Sequence, residues 1–198
     1  MSAEIWIVDD DDAVRDSLSA LLKGEGYAVR TFASAREFLD FAHEGMRGCL
    51  LSDVRMPGLS GLDLQRRLHE MGIRVPTVFI TGHGDVPMAV QALKAGAADF
   101  IEKPFPNKVL LDSLAEAMAG ASVASDRERV AGIRARYALL TERERQVMAL
   151  VVDGHSNKEV AASLGISPRT VDIHRTHVME KMKADSLPDL VRQALLIG

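Results

Sequence analysis

Leu50-Leu51-Ser52-Asp53-Val54-Arg55-Met56-Pro57-Gly58 decides the fold: apolar residues run straight into a carboxylate, and a Pro-Gly pair turns the chain at once. A buried strand that ends on an acid and then bends delivers that acid to the rim of a sheet. In open α/β sheets, ligands sit at the rim formed by the strands' carboxyl ends. One aspartate there decides little, because Asp is also a common turn and helix-start residue. The question is whether other strands bring matching groups to the same rim.

They do. Ile5-Trp6-Ile7-Val8 is apolar and runs into Asp9-Asp10-Asp11-Asp12; Val14, Leu18, Leu21 and Leu22 then recur at helical spacing up to Gly24. Tyr27 to Phe32 reads as a strand. Ser34 with Glu37 three residues on reads as a capping box opening the next helix. After the strand that ends on Asp53, Ser60 to Met71 is helical. Pro76 to Thr81 is a strand followed by Gly82-His83-Gly84, and Asp85 caps a helix through Val90 and Leu93. Asp99 to Lys103 is the fifth strand, broken by Pro104, and Asn107 to Met118 the fifth helix. Such alternation predicts a parallel sheet covered on both faces, and right-handed crossovers favour the flavodoxin-like (βα)5 order 2-1-3-4-5. That order sets Asp9, Asp10, Asp53, Thr81 and Lys103 side by side.

Converging carboxylates raise one another's pKa unless a cation joins them. Hard oxygen ligands with open positions suit Mg²⁺ (or Mn²⁺), which could bridge Asp53 to an incoming phosphoryl group. Asp53 would be the nucleophile, Lys103 a point charge for a phosphate oxygen, and Thr81 a hydroxyl donor. Each residue alone has a plainer reading. Asp11 and Asp12 fit the start of the first helix, where acids complement its positive end, and Asp9 and Asp10 could do the same. Thr81 could be a strand-end polar residue and Lys103 a solvated one. Four strands each ending on the right chemical type favour the site.

Net charge is −4 over 198 residues, but unevenly spread: residues 1–120 carry 12 basic against 18 acidic side chains, residues 121–138 4 against 2, and residues 139–198 8 against 8. An acidic front and a neutral rear point to two units with different partners. The expected division is 1–120, a partly helical linker 121–138, and 139–198. Cys49 is the single cysteine, inside an apolar strand, which excludes an internal disulfide. No apolar run approaches the ~20 residues of a membrane helix, and no signal-peptide pattern opens the chain, so the cytoplasm is the expected compartment.

Val8-Asp9-Asp10, Asp53 to Gly58, Thr81-Gly82-His83-Gly84 and Lys103-Pro104-Phe105 resemble the receiver domain of two-component response regulators over residues 3 to about 120. The resemblance makes Asp53 the phosphoacceptor, with Asp9, Asp10 and the Arg55 carbonyl holding the metal and Thr81 and Lys103 contacting the phosphoryl group. It implies a cis bond between Lys103 and Pro104, a switching aromatic at Phe100, and a dimer surface on the fourth helix including Val90 and Lys94. Arg55 and His83, two residues after Asp53 and Thr81 at the mouth of this site, would either govern water access and phosphate lifetime or stand as exposed loop residues without effect.

Behind the linker strand signals vanish, and helical segments are separated by Gly154-His155-Ser156, Gly165-Ile166-Ser167 and Asp185-Ser186-Leu187-Pro188. Thr141 with Glu144 caps the first. A helix, a short glycine turn and a helix opened by Pro168 form a helix-turn-helix pattern, whose second member enters the major groove. On charge alone that helix could be an ordinary solvated face: Arg169, Arg175, Lys181 and Lys183 stand against Asp172 and Glu180. The stretches Leu140 to Glu144, Asn157 to Ala161 and Ser167 to His174 resemble the LuxR-type DNA-binding domain, and the whole chain resembles FixJ/NarL-like response regulators.

By that resemblance Asp172, Ile173 and Thr176 face bases; Lys158, Arg169, Thr170 and Arg175 contact phosphates; Val171, His174 and Val178 pack inward. Many relatives have lysine where Asp172 stands, so the bound sequence does not carry over. The last helix, Ser186 to Ile197, would pair two such domains on a two-fold promoter site. The implied partners are a sensor histidine kinase, double-stranded DNA, a second copy of the chain, RNA polymerase, and no membrane. The chain would catalyse only its own phosphorylation and slow dephosphorylation. An aspartyl-nucleophile phosphatase is the alternative, but such enzymes of the haloacid-dehalogenase type need an acid where Arg55 stands. A flavin or nucleotide binder would want a glycine-rich phosphate loop after the first strand, not four aspartates. A receiver acting through protein contacts alone is the remaining alternative, separated by salt-dependent promoter binding.

Overall fold

The structure, a computed structural model, describes residues 4–82, 86–119 and 123–197, the side chains of 86 and 123–129 excepted. By its contacts the chain divides into two units: 1–83 with 95–120, and 84–94 with 121–198. His83 and Asp85, singled out in the sequence, lie outside the described residues.

In the first unit β1 (Glu4–Val8), β2 (Ala28–Phe32), β3 (Gly48–Asp53), β4 (Thr77–Thr81) and β5 (Asp99–Glu102) form one parallel sheet in the order β2-β1-β3-β4-β5, as expected. The two-residue alternation of a strand sorts the core into two layers. Ile5, Ile7, Cys49, Leu51, Val78 and Ile80 pack against Leu18 and Leu22 of α1 (Asp12–Gly24) and Leu110 and Leu114 of α5 (Asn107–Ala119). Trp6, Val8 and Leu50 point the other way, onto Phe38 of α2 (Ala35–Phe41) and Leu64 and Leu68 of α3 (Gly61–Glu70). Asp11 is the N-cap of α1, accepting the Ala13 N–H at 2.9 Å, so the helix-start reading of Asp11 holds. At α2, Ser34 caps as expected, but Glu37 reaches back to the Ala33 N–H rather than to Ser34. The Lys103–Pro104 bond is cis.

The second unit comprises α4 (Val86–Lys94), α6 (Val123–Ala138), α7 (Glu142–Val152), α8 (Asn157–Leu164), α9 (Pro168–Met182) and α10 (Leu187–Ile197). The stretch expected to be a half-helical linker is helical from Val123. It is also part of a core, with Ile133 buried among Met148, Val178, Met182 and Leu190. Gly165 closes α8 at φ +65, a left-handed conformation that glycine adopts without a Cβ clash.

Glu144 ties this unit together. It completes a capping box with Thr141 at the start of α7, and its two oxygens accept from Lys181 Nζ on α9 at 2.9 and 2.7 Å. Burial pushes this carboxyl up, but the Lys181 ammonium and the Thr141 donors outweigh it and hold it at about 2, below its ordinary 4.5. A carboxyl depressed in the folded state stabilises fully above its unfolded value, and that contribution fades as pH falls towards the folded value. The second unit should therefore lose stability between pH 4.5 and about 2. Glu144→Ala should cost about 2 kcal/mol at neutral pH, less than the full shift because Lys181 reaches water, and should flatten that acid limb. Hydrogen exchange of α7 and α9 amides across pH reads both effects; an unchanged acid limb in the variant would exclude this ion pair as its source.

Candidate functional site

Four strand ends build the pocket. Asp9 directly follows β1, and its N–H donates to the Phe32 carbonyl at 3.3 Å; Asp53 is the last residue of β3. Thr81 ends β4, and its carbonyl accepts the Lys103 N–H at 2.8 Å, which fixes Lys103 one step past β5. Asp9 is buried: one carboxylate oxygen accepts the Asp11 N–H at 2.9 Å and the other lies 3.1 Å from Lys103 Nζ. Asp10 is exposed beside it. Asp9, Asp10 and Asp53 bring carboxylate oxygens within 4.8 Å of one another, the one grouping of metal-ligating side chains among the described residues. Thr81 and Phe100 are both buried. Arg55 follows with its side chain exposed.

Electrostatics single out Asp53. Burial raises its carboxyl to about 6; the Lys103 charge pulls the other way, and the charges of Asp9 and Asp10 push further up. Its buried Oδ1 has no hydrogen-bond partner among the described residues. An unpartnered buried carboxylate oxygen beside two more acids is costly as it stands and is relieved by a cation. The donor set, oxygen only and partly open to water, fits a small hard divalent ion.

In the second unit α8, a three-residue turn and α9 give the helix-turn-helix. Ser167 caps α9 by accepting the Thr170 N–H at 3.1 Å, with Pro168 at the first helical position. Val171, Val178 and Met182 are buried, while Arg169, Asp172, Ile173 and Thr176 share the opposite face, Ile173 being 50% exposed. His174 is half-buried, and Lys158 is exposed on α8. Thr170 shares a 2.8 Å hydroxyl contact with Ser167, and Thr176 donates to the Asp172 carbonyl at 3.1 Å. Arg175 is half-buried and donates to Asn157, a residue sequence reasoning passed over because nothing periodic marks it. Val90 is 3% exposed, and Lys94 Nζ lies 2.9 Å from Asp153.

Residues 5–115 match the family described as Response regulator receiver domain, and residues 138–194 the Bacterial regulatory proteins, luxR family. The chain is 51% identical over 195 residues to the transcriptional regulatory protein FixJ of Rhizobium meliloti, covering 98% of this chain and 96% of that one. It belongs to the FixJ-like two-component response regulators. The response regulator protein TodT of Pseudomonas putida is 47% identical over 189 residues, covering 95% of this chain and 83% of that one. The crystal structure of full-length FixJ from B. japonicum is similar at 44% identity and a TM-score of 0.58, covering 99% of this chain and 98% of that one.

The regulator is thus a phosphorylation-controlled, DNA-binding transcription factor, not an enzyme of the ordinary kind, and its partner classes are a histidine kinase and DNA. Asp9, Asp10 and Asp53 form the acidic pocket typical of a receiver. Among its described residues no helix is long and apolar enough to cross a membrane.

Proposed function

We propose that Asp53 is the phosphoacceptor and that its modification, in the cytoplasm, switches promoter binding. The observation that carries this is the unpartnered, buried Oδ1 of Asp53, a carboxylate grouped with those of Asp9 and Asp10 at the sheet's carboxyl rim, where Lys103 pairs with Asp9. A carboxylate oxygen of Asp53 attacks phosphorus. The bond to the donor (the phosphohistidine of a sensor kinase, or a small acyl phosphate) breaks, and the leaving group keeps the electron pair. Asp9, Asp10, Asp53 and the Arg55 carbonyl would hold Mg²⁺ or Mn²⁺, which when bound neutralises the phosphoryl oxygens. Lys103 gives a second positive charge and Thr81 a hydroxyl donor.

The phosphate adds about two negative charges next to Thr81. Drawing Thr81 towards it opens space for Phe100, which couples the pocket to β5. Reversing an equilibrium from 1:99 to 99:1 takes about 5.5 kcal/mol, a sum that a phosphate held by a metal, an ammonium and a hydroxyl can supply. Dimerisation through the α4 face, including Val90 and Lys94, requires both residues to leave their intramolecular surroundings. A dimer places two copies of α9 on a two-fold promoter site, where RNA polymerase can be engaged. Asp172, Ile173 and Thr176 read bases, and Lys158, Arg169, Thr170 and Arg175 face phosphates. Residues 1–120 act as receiver, 121–138 as linker and 139–198 as DNA-binding domain.

The test treats the full chain with acetyl phosphate, with and without excess chelator, and follows label, sedimentation and DNA binding together. Label on Asp53 that requires a divalent ion, with dimer formation and salt-dependent preference for one promoter over random duplex, is the expected outcome. Full labelling with unchanged sedimentation and no DNA selectivity would leave a receiver that works through protein contacts alone.

A further inference from the structure

Asn157 opens α8 directly after the Ser156 cap, and its side chain reaches across to α9. Its amide nitrogen donates to a carboxylate oxygen of Asp172, and its amide oxygen accepts from Arg175 Nη1 at 2.5 Å. A carboxylate only accepts and a guanidinium only donates, so the two partners dictate which end of the amide faces which. Asn157 and Arg175 are half-buried, whereas Asp172 is exposed on the face that also carries Ile173 and Thr176.

This bridge changes what Asp172 can do on DNA. An unheld aspartate samples several rotamers and repels phosphates wherever it points. With one oxygen tied to Asn157, the carboxylate is oriented before DNA arrives, and the same amide links it to the positive charge of Arg175. The remaining oxygen can only accept. In the major groove the amino donors are cytosine N4 and adenine N6, and adenine sets its N7 acceptor beside that donor, where a carboxylate is repelled. Cytosine is the better fit.

We propose that Asn157 is a positioning residue for base reading, holding Asp172 so that its free oxygen accepts from a cytosine amino group in each half-site. This rests on the reading of α9 as the base-reading helix. The plainer role for Asn157 is to tie α8 to α9, and Asn157→Asp separates the two: it keeps an acceptor for Arg175 but sets a second carboxylate against Asp172.

The experiment selects bound duplexes from a randomised pool with full-length, acetyl-phosphate-treated wild type, Asp172→Ala, Asn157→Ala and Asn157→Asp. Wild type should favour cytosine at one position per half-site by about tenfold. Asp172→Ala, Asn157→Ala and Asn157→Asp should each lose that preference while keeping those at neighbouring positions. If both Asn157 variants keep the cytosine preference that Asp172→Ala loses, or lose every preference together, Asn157 is only structural and the inference fails. If Asp172→Ala selects the same duplexes as wild type, the assignment of Asp172 as a base reader fails first and takes the inference with it.

Discussion

Asparagine in place of Asp53 should abolish phosphodonor labelling and at the same time make the metal-free protein more stable. The neutral amide cannot attack phosphorus, so label falls to background. The stability gain follows from the cost of the native side chain: Asp53 is 9% exposed, its Oδ1 has no partner among the described residues, and Asp9 and Asp10 stand within reach. With burial and those two acids pushing its carboxyl up to about 6 against the pull of Lys103, the ionised form that predominates at neutral pH is costlier here than in water. Replacing it with an uncharged isostere should add about 1–2 kcal/mol in chelator. Excess Mg²⁺ should raise wild-type stability and leave the variant nearly unmoved. Thermal unfolding with and without Mg²⁺, beside a labelling assay, reads both halves. Label retained at another residue would displace Asp53 as acceptor. A variant that loses label and stability together would mean that the carboxylate is anchored by the protein rather than waiting for a cation.

The parts of this pocket that could be read without coordinates are those that strand grammar controls. Short apolar runs leading up to Asp9, Asp53 and Thr81, bounded by turn residues, read as buried strands, and right-handed crossovers then left the order β2-β1-β3-β4-β5 as the favoured one. The separate fates of the Asp9 to Asp12 run were legible in part: Asp11 as a cap follows from its place before an amphipathic stretch. That Asp9 is buried and Asp10 exposed depends on where the first turn of α1 packs, and no local pattern gives it. The helix over Val123–Ala138 looked like a connector because its sequence is polar; Ile133 belongs to a core supplied by α7, α9 and α10, elements far along the chain. The Asn157–Asp172–Arg175 bridge is of the same kind, a cross-helix triplet with no periodic signature.

Gly61→Ala should be strongly destabilising, although alanine is the better helix former by about 1 kcal/mol. Gly61 opens α3 with its N–H donating to the Val54 carbonyl at 2.9 Å, so the helix starts with its backbone pressed on the end of β3. A Cβ there would stand 2.2 Å from the Asp53 carbonyl oxygen and 3.0 Å from both the Phe79 ring and the Ser52 hydroxyl. The first of these is backbone, which cannot swing aside as a side chain does. Either α3 lifts from the sheet or the end of β3 shifts, at a cost of about 3 kcal/mol. Because β3 carries Asp53, Mg²⁺ binding and labelling should weaken along with the melting temperature. Gly132 provides the contrast: it lies within α6 with nothing inside 4 Å of an added Cβ, so Gly132→Ala should stabilise by about 1 kcal/mol. Opposite signs for the same chemical change, measured by urea unfolding, follow from where the methyl lands. A Gly61→Ala protein that melts and labels like wild type would mean that α3 does not abut the carbonyl of Asp53.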